Sequence, residues 1–215
     1  WLRRRERRRA HFNGPRPVRM TEIAAAGPIT GKEQARAVFD SLDKKALRPI
    51  TVAEQQGLCA FCMGTIRAKG HGTSAIRLAH RVPISSDHTL ALTWSNLLAS
   101  CSSPHSCDER QGSHRLTVDP VLPATTVDQL RYERRNAQSG LWLTSDNPEL
   151  ADDLEKLGLN GGDLPRLREE AWKAFQARAL RRFPKGNAEG RKKLLAEEKR
   201  LAFLYAFFGV IEAKA

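Results

Sequence analysis

The clearest hydrophobic pattern in the chain is an alternation, in which Ile76, Leu78, His80 and Val82 occupy every second position, as on a strand with one buried face. His80 is therefore expected to point with the apolar side, and Pro83, which cannot donate to a ladder, ends the strand. Ser85 to His88 then forms the loop of a wide hairpin, and Leu90 to Trp94 returns as the second strand. Elsewhere the pattern is mainly helical. Gly31 to Asp43 predicts a helix, Lys44 to Pro49 a link, and Thr126 to Gly140 a short strand or helix leading into Leu141–Trp142–Leu143. Pro148 precedes a further helix, and Asp163 ends a turn from Asn160 and is placed to cap Leu164 to Phe183. The last helix, Glu189 to Ala213, is polar early and almost wholly apolar over Leu201 to Ile211. A core helix is the ordinary meaning of such a run, and a docking surface for a partner chain the sharper one.

Charge adds a partner to this outline. Lys and Arg number 36 against 24 Asp and Glu, a net charge of +12 and a sequence pI near 10.1 in 215 residues, which points to a polyanion such as nucleic acid. Residues 1 to 20 hold eight of the arginines against one acid, Glu6, forming an arm that either binds phosphates or is simply solvated. The apolar run at Leu201 to Ile211 is too short to span a bilayer, and the Arg-rich start has no apolar h-region, so a soluble, cytoplasmic chain is expected. No Gly-x-x-x-x-Gly-Lys-Ser/Thr loop occurs, so nucleotide hydrolysis would have to come from another protein.

The four cysteines change the picture most. They fall in two pairs, Cys59-Ala-Phe-Cys62 and Cys101-Ser-Ser-Pro-His-Ser-Cys107. A Cys-x2-Cys turn aims two thiolates at one point about 2.3 Å from a zinc ion, and a second pair closes the tetrahedron, leaving a structural site with no open position. The second pair is separated by five residues, so its loop is long, and His105 inside it could stand in for a cysteine. Four buried, unpaired cysteines are the bland alternative, which the paired spacing disfavours.

Set in order, these residues resemble a known family. Residues 58 to 112 are similar to the HNH branch of the His-Me finger nucleases: Cys-x2-Cys, a strand ending in His-x-x-Pro at His80, then Asn96-Leu-x-x-x-Cys101, then a cysteine followed by the polar Asp108. The likeness narrows to the retron- and Septu-associated proteins of the PtuB type through Gly57–Cys62, Leu92–Cys101 and Cys107–Gly112. It extends to Val118–Pro120 and to Leu157-Gly-Leu-Asn160 with Leu164 and Arg168. The resemblance implies an α+β chain in which a zinc-stapled ββα-metal module, residues 51–120, lies between a basic arm and helix, 1–50, and a helical region, 121–215. It also implies cleavage of DNA, or of RNA, in anti-phage defence beside an ABC-type ATPase partner of the PtuA kind.

Each role suits its residue type. His80 is the general base, since imidazole accepts a proton near neutrality. Asn96 orients that imidazole or ties its loop, although an Asn there also suits a helix cap. Asp108 is the expected ligand of a catalytic Mg²⁺ or Mn²⁺, and Cys59, Cys62, Cys101 and Cys107 of structural Zn²⁺. Two positions depart from the pattern. Where the family has Asp or Glu immediately before the histidine this chain has Ala79, so the cation would lean on Asp108 with Asp87, His88 or Glu109, or the module has lost catalysis and only binds. Gln111 replaces a common Lys and removes one positive charge.

Overall fold

The fold is known from a computed structural model, which describes residues 29–66, 76–117, 129–135, 140–184, 188–200, 211 and 214. Among these, six α-helices and two small antiparallel sheets make a mixed α and β protein. In chain order the elements are α1 (Lys32–Ser41), α2 (Lys44–Glu54), β1 (Ile76–His80), β2 (Leu97–Cys101), α3 (Asp108–Gln111), β3 (Arg131–Glu133), β4 (Trp142–Thr144), α4 (Pro148–Lys156), α5 (Leu164–Arg182) and α6 (Ala188–Glu198). The Arg-rich arm and the apolar run Leu201–Val210 lie outside the described residues. Among the described residues no helix is long and apolar enough to cross a membrane.

Lys44 to Pro49 does not form a link; it is the first half of α2. Asp43 caps it by accepting from the Lys45 and Ala46 amides at 3.1 and 3.2 Å, and burial of Leu47, Thr51 and Val52 along one face outweighs the proline. Pro49 lacks only the N–H that would meet the carbonyl of Lys45, an exposed residue whose carbonyl water can serve.

The hairpin also differs from its expected form. Leu90 to Trp94 is no strand; it lies between two 3-10 turns, His88–Leu90 and Trp94–Asn96, and β1 pairs instead with β2, His80 opposite Leu97 and Ile76 opposite Cys101. The first four residues of β2 are buried without alternation, so no period-two signal marks them, whereas Leu90–Trp94 imitates one.

At the C-terminal side, β3 pairs with β4, so of the strand or helix expected over Thr126 to Gly140 the described residues form a strand, at Arg131–Glu133. Asn147 caps α4 ahead of Pro148. Asp163 stands before α5 but makes no side-chain cap; its carboxylate meets Arg166 at 3.4 Å instead.

Most of the core is one cluster that joins the Cys59–Cys62 loop and the β1–β2 hairpin to Leu150, Leu154, Leu157, Leu159 and Phe175. A second, smaller cluster packs Phe39 and Leu47 against Leu78, Ile84 and Leu97. Gln55, buried at the end of α2, stitches the hairpin to the cysteine loop. Its Nε2 donates to the carbonyls of Leu58 and Ala99, both at 2.8 Å, and its Oε1 accepts from the Ala99 amide at 2.7 Å. Replacing Gln55 by Leu leaves the Ala99 N–H without its acceptor in a dry interior and should cost about 2–3 kcal/mol of unfolding free energy. Denaturant titration reads this directly, and a loss under about 0.5 kcal/mol, the scale of surface substitutions, would mean that the amide is dispensable.

Candidate metal centre and active site

The cysteine loop is a tight turn closed by the Leu58–Thr65 bridge, with Cys59 N–H bonded to the Gly64 carbonyl at 2.9 Å and Met63 at φ 62°. It faces the end of β2 and the loop before α3, so all four sulfurs converge within 4.8 Å of one another. Two separations are resolved individually, Cys59 to Cys107 at 3.7 Å and Cys62 to Cys101 at 3.9 Å. Four sulfurs each about 2.3 Å from one tetrahedral zinc stand about 3.8 Å apart, so these two separations match an edge of such a site. Backbone amides of Gly64 and Cys101 point at the sulfurs of Cys62 and Cys59, each at 3.3 Å, the kind of donor that stabilises thiolate charge.

Protons are shared unequally in this cluster. Burial opposes a thiolate at Cys59, yet hydrogen bonds from Cys101, Cys107 and Cys62 hold its pKa well below that of a free thiol, while contacts with Cys101, Cys59 and Cys62 push Cys107 up. Cys107 also sits at φ 63°, an unfavourable conformation for a non-glycine residue, held by its N–H bond to the Leu157 carbonyl at 2.8 Å. Gly158 makes that contact possible, because a Cβ there would lie 2.5 Å from the His105 carbonyl oxygen. His105 itself is exposed and outside the converging set, which consists of the four cysteines. The cluster could hold a metal such as zinc.

His80 closes β1 with its ring edge-on to Phe39, centroids 4.4 Å apart. Its Nε2 lies 2.9 Å from the Ala91 carbonyl oxygen, which can only accept, so Nε2 carries the hydrogen and Nδ1 is left as the basic nitrogen. Burial lowers the His80 pKa below its ordinary 6.5, a shift reinforced by Arg36 and Lys44 and partly offset by the Ala91 bond.

Asn96 is 1% exposed and pairs with Val82 as a neighbouring strand would, accepting from its N–H at 2.8 Å and donating to its carbonyl at 3.0 Å. A second donation, to the Leu90 carbonyl at 3.1 Å, fixes the turn whose next residue, Ala91, holds His80. Asn96 thus ties the loop and is not a helix cap.

Asp108 opens α3 with its amide directed at the Ser100 hydroxyl at 3.4 Å, and Ser100 lies opposite Arg77 in the hairpin. Arg77 bonds Glu109 and lies 3.9 Å from Asp108. Burial lifts the Asp108 carboxyl to about 6, with Arg77 pulling the other way. Strand alternation puts Ala79 on the Arg77 side and His80 on the other, and among the described residues no hydrogen bond or ion pair joins His80 to Asp108. Of the substitutes for a missing acid, Asp87 is committed to capping through the Thr89 amide and hydroxyl, at 3.0 and 2.6 Å. Asp108 belongs to no group of three converging metal-capable side chains among the described residues.

Two features carry no sequence signature. Gln55 is one, and the other is a clamp in which buried Asp153 accepts from His114 at 2.9 Å and from the Thr117 amide and hydroxyl. Gln111 is buried with its amide nitrogen bonded to the Arg81 carbonyl at 3.0 Å, so the residue in the place of a lysine serves packing.

No protein-family model matches the chain, and no curated protein matches it.

The geometry predicts one equivalent of tightly bound zinc per purified chain by elemental analysis, with all four thiols protected from alkylation until a strong chelator is added. Four freely reacting thiols and no bound metal would exclude the centre.

Proposed function

We propose that this chain is an HNH-type endonuclease that hydrolyses phosphodiester bonds of DNA, or of RNA, around a structural zinc site held by Cys59, Cys62, Cys101 and Cys107. The observation that carries the reading is the setting of His80, whose Nε2 is occupied by the Ala91 carbonyl and whose Nδ1 is left to take a proton, with burial lowering its pKa. The order of parts agrees with a ββα-metal finger, the histidine at the end of the first strand of a hairpin, Asn96 fixing its loop and Asp108 opening the short helix after the second strand. In this reading His80 Nδ1 removes a proton from the attacking water, Asn96 keeps the imidazole's supporting turn in place, and Arg36 and Lys44 lend positive charge beside the base. Asp108 would hold a largely hydrated Mg²⁺ or Mn²⁺, which when bound supplies charge for the phosphate oxygens. The role in anti-phage defence, beside an ABC-type ATPase, rests on the resemblance of the motifs alone.

Ala79 favours a second reading. With no acid at that position and Arg77 against the Asp108–Glu109 pair, the module could bind nucleic acid or the ATPase without cutting.

Plasmid nicking in Mg²⁺ and Mn²⁺, with and without a candidate ATPase, separates the two. His80→Ala should lower cleavage by about 10²–10⁴-fold, the usual contribution of a general base, with zinc content and melting unchanged. Ala79→Glu should raise it. If neither the natural chain nor Ala79→Glu cuts while zinc stays bound, the binding reading replaces the nuclease.

The pH profile is a separate check. Only neutral His80 can act as base, and its pKa lies below 6.5, so cleavage should rise with pH to a plateau through a midpoint below 6.5. A midpoint above 7 would mean that another group is the base.

A further inference from the structure

Arg168 is buried to 2% exposure, yet every hydrogen bond resolved for its guanidinium goes to a neutral oxygen. One nitrogen donates to the Leu141 carbonyl at 3.4 Å and to Asn160 Oδ1 at 3.1 Å, the other to the Leu159 carbonyl. The next residue, Glu169, does not serve it; that carboxylate pairs with Arg134 and Lys173. A guanidinium in a dry interior costs several kcal/mol unless an opposite charge lies close enough to repay it. Among the described residues no carboxylate is bonded to Arg168.

The missing anion can be located by following the chain from those neutral oxygens. Leu159, whose carbonyl takes an Arg168 donor, lies two residues after Leu157, whose carbonyl takes the Cys107 amide at 2.8 Å. Leu141, Leu157 and Leu159 belong to the apolar cluster that contains Cys59, Cys62 and Cys107. Burial disfavours the charge on Arg168, and the groups placed to offset it are Tyr132, Cys62 and Cys107, the two sulfurs once they are thiolates on a metal. Four thiolates around one divalent zinc carry a net charge of about −2, the largest negative charge that this interior could hold.

We propose that Arg168 is the counter-charge of the metal-loaded cysteine site, a positioning and charge-balancing residue that offsets about half of the net negative charge of a zinc tetrathiolate. The relation is reciprocal: zinc offsets the burial of Arg168, and Arg168 tightens zinc. The inference rests on the cysteine cluster holding zinc and is independent of nuclease activity.

The test uses the full chain and compares Arg168→Met, Arg168→Gln and Arg168→Lys. Zinc affinity is read by competition with a chromophoric chelator, and cobalt is substituted to give a thiolate-to-metal charge-transfer band. Met and Gln, which lack the charge, should bind zinc about 10–100-fold more weakly, the range for outer partners of metal ligands. Their cobalt band should move to longer wavelength, because a thiolate without a nearby cation gives up its electron more easily. Lys, keeping the charge, should remain near the natural chain in both readings. Equal weakening by Lys and Met would mean that only the forked hydrogen bonds matter. An unmoved cobalt band in Met and Gln, whatever the affinity, would overturn the proposal, since that band is read only on molecules whose site has formed. Natural chain without zinc would remove the metal centre itself, an outcome distinct from either.

Discussion

The convergence of four sulfurs is the constraint on which the rest of this structure depends. They arrive from three separate places, the turn after α2, the end of β2 and the loop before α3, and none of these is long enough to hold itself. Cys107 is the extreme case, because its backbone sits in a region that a side chain normally avoids. Its neighbours must over-determine that conformation, and they do so from two sides, the sulfur cluster and the Leu157 carbonyl. Since Asp108 follows Cys107 directly, the start of α3 is placed by the same contacts.

Carboxamides, two of them buried and Asn160 partly so, do the second part of the work. Gln55, Asn96 and Asn160 each present an acceptor and a donor to one backbone residue, respectively Ala99, Val82 and Leu143, and so replace a strand where no strand passes. Such a side chain satisfies both backbone groups of its partner, at the cost of requiring an exact position. This explains how β1–β2, a sheet of only two strands among the described residues, can be largely buried. Asn160 adds a third contact, accepting from Arg168, which links the β4 edge to the charge behind the cysteines.

Legibility in the sequence followed the range of the interactions. The paired cysteines, the strand ending at His80 and the helix opened by Pro148 announce themselves within a few residues, because spacing, alternation and capping are local. The helix over Lys44–Pro49 was obscured by its proline, whose cost is local while its compensation, the burial of Leu47 and Val52, is tertiary. Leu90–Trp94 imitated a strand for the converse reason: its apolar residues serve a turn held by Asn96, and the true strand, buried on both faces, has no alternation to display. Gln55 was illegible and Arg168 stood out only as part of a resemblance, since a buried polar residue is meaningful only once its partners, 44 and 27 residues away for Ala99 and Leu141, are known.

Charge on one side of β1 frames the question of catalysis. Arg77 stands against Asp108 and Glu109, so two carboxylates share one guanidinium and the patch carries at most about one net negative charge. That is a weak attraction for a divalent cation and a weak repulsion for a phosphate, and Ala79, small and buried beside them, leaves the balance there. An acid at position 79 would fall on the same side by strand alternation and bring the patch toward −2, where a divalent ion becomes the natural neutraliser. In the proposed reading, the side chain at position 79 would thus decide whether this face takes up a divalent cation, while His80, on the other side of the strand, keeps Nδ1 unbonded in either case.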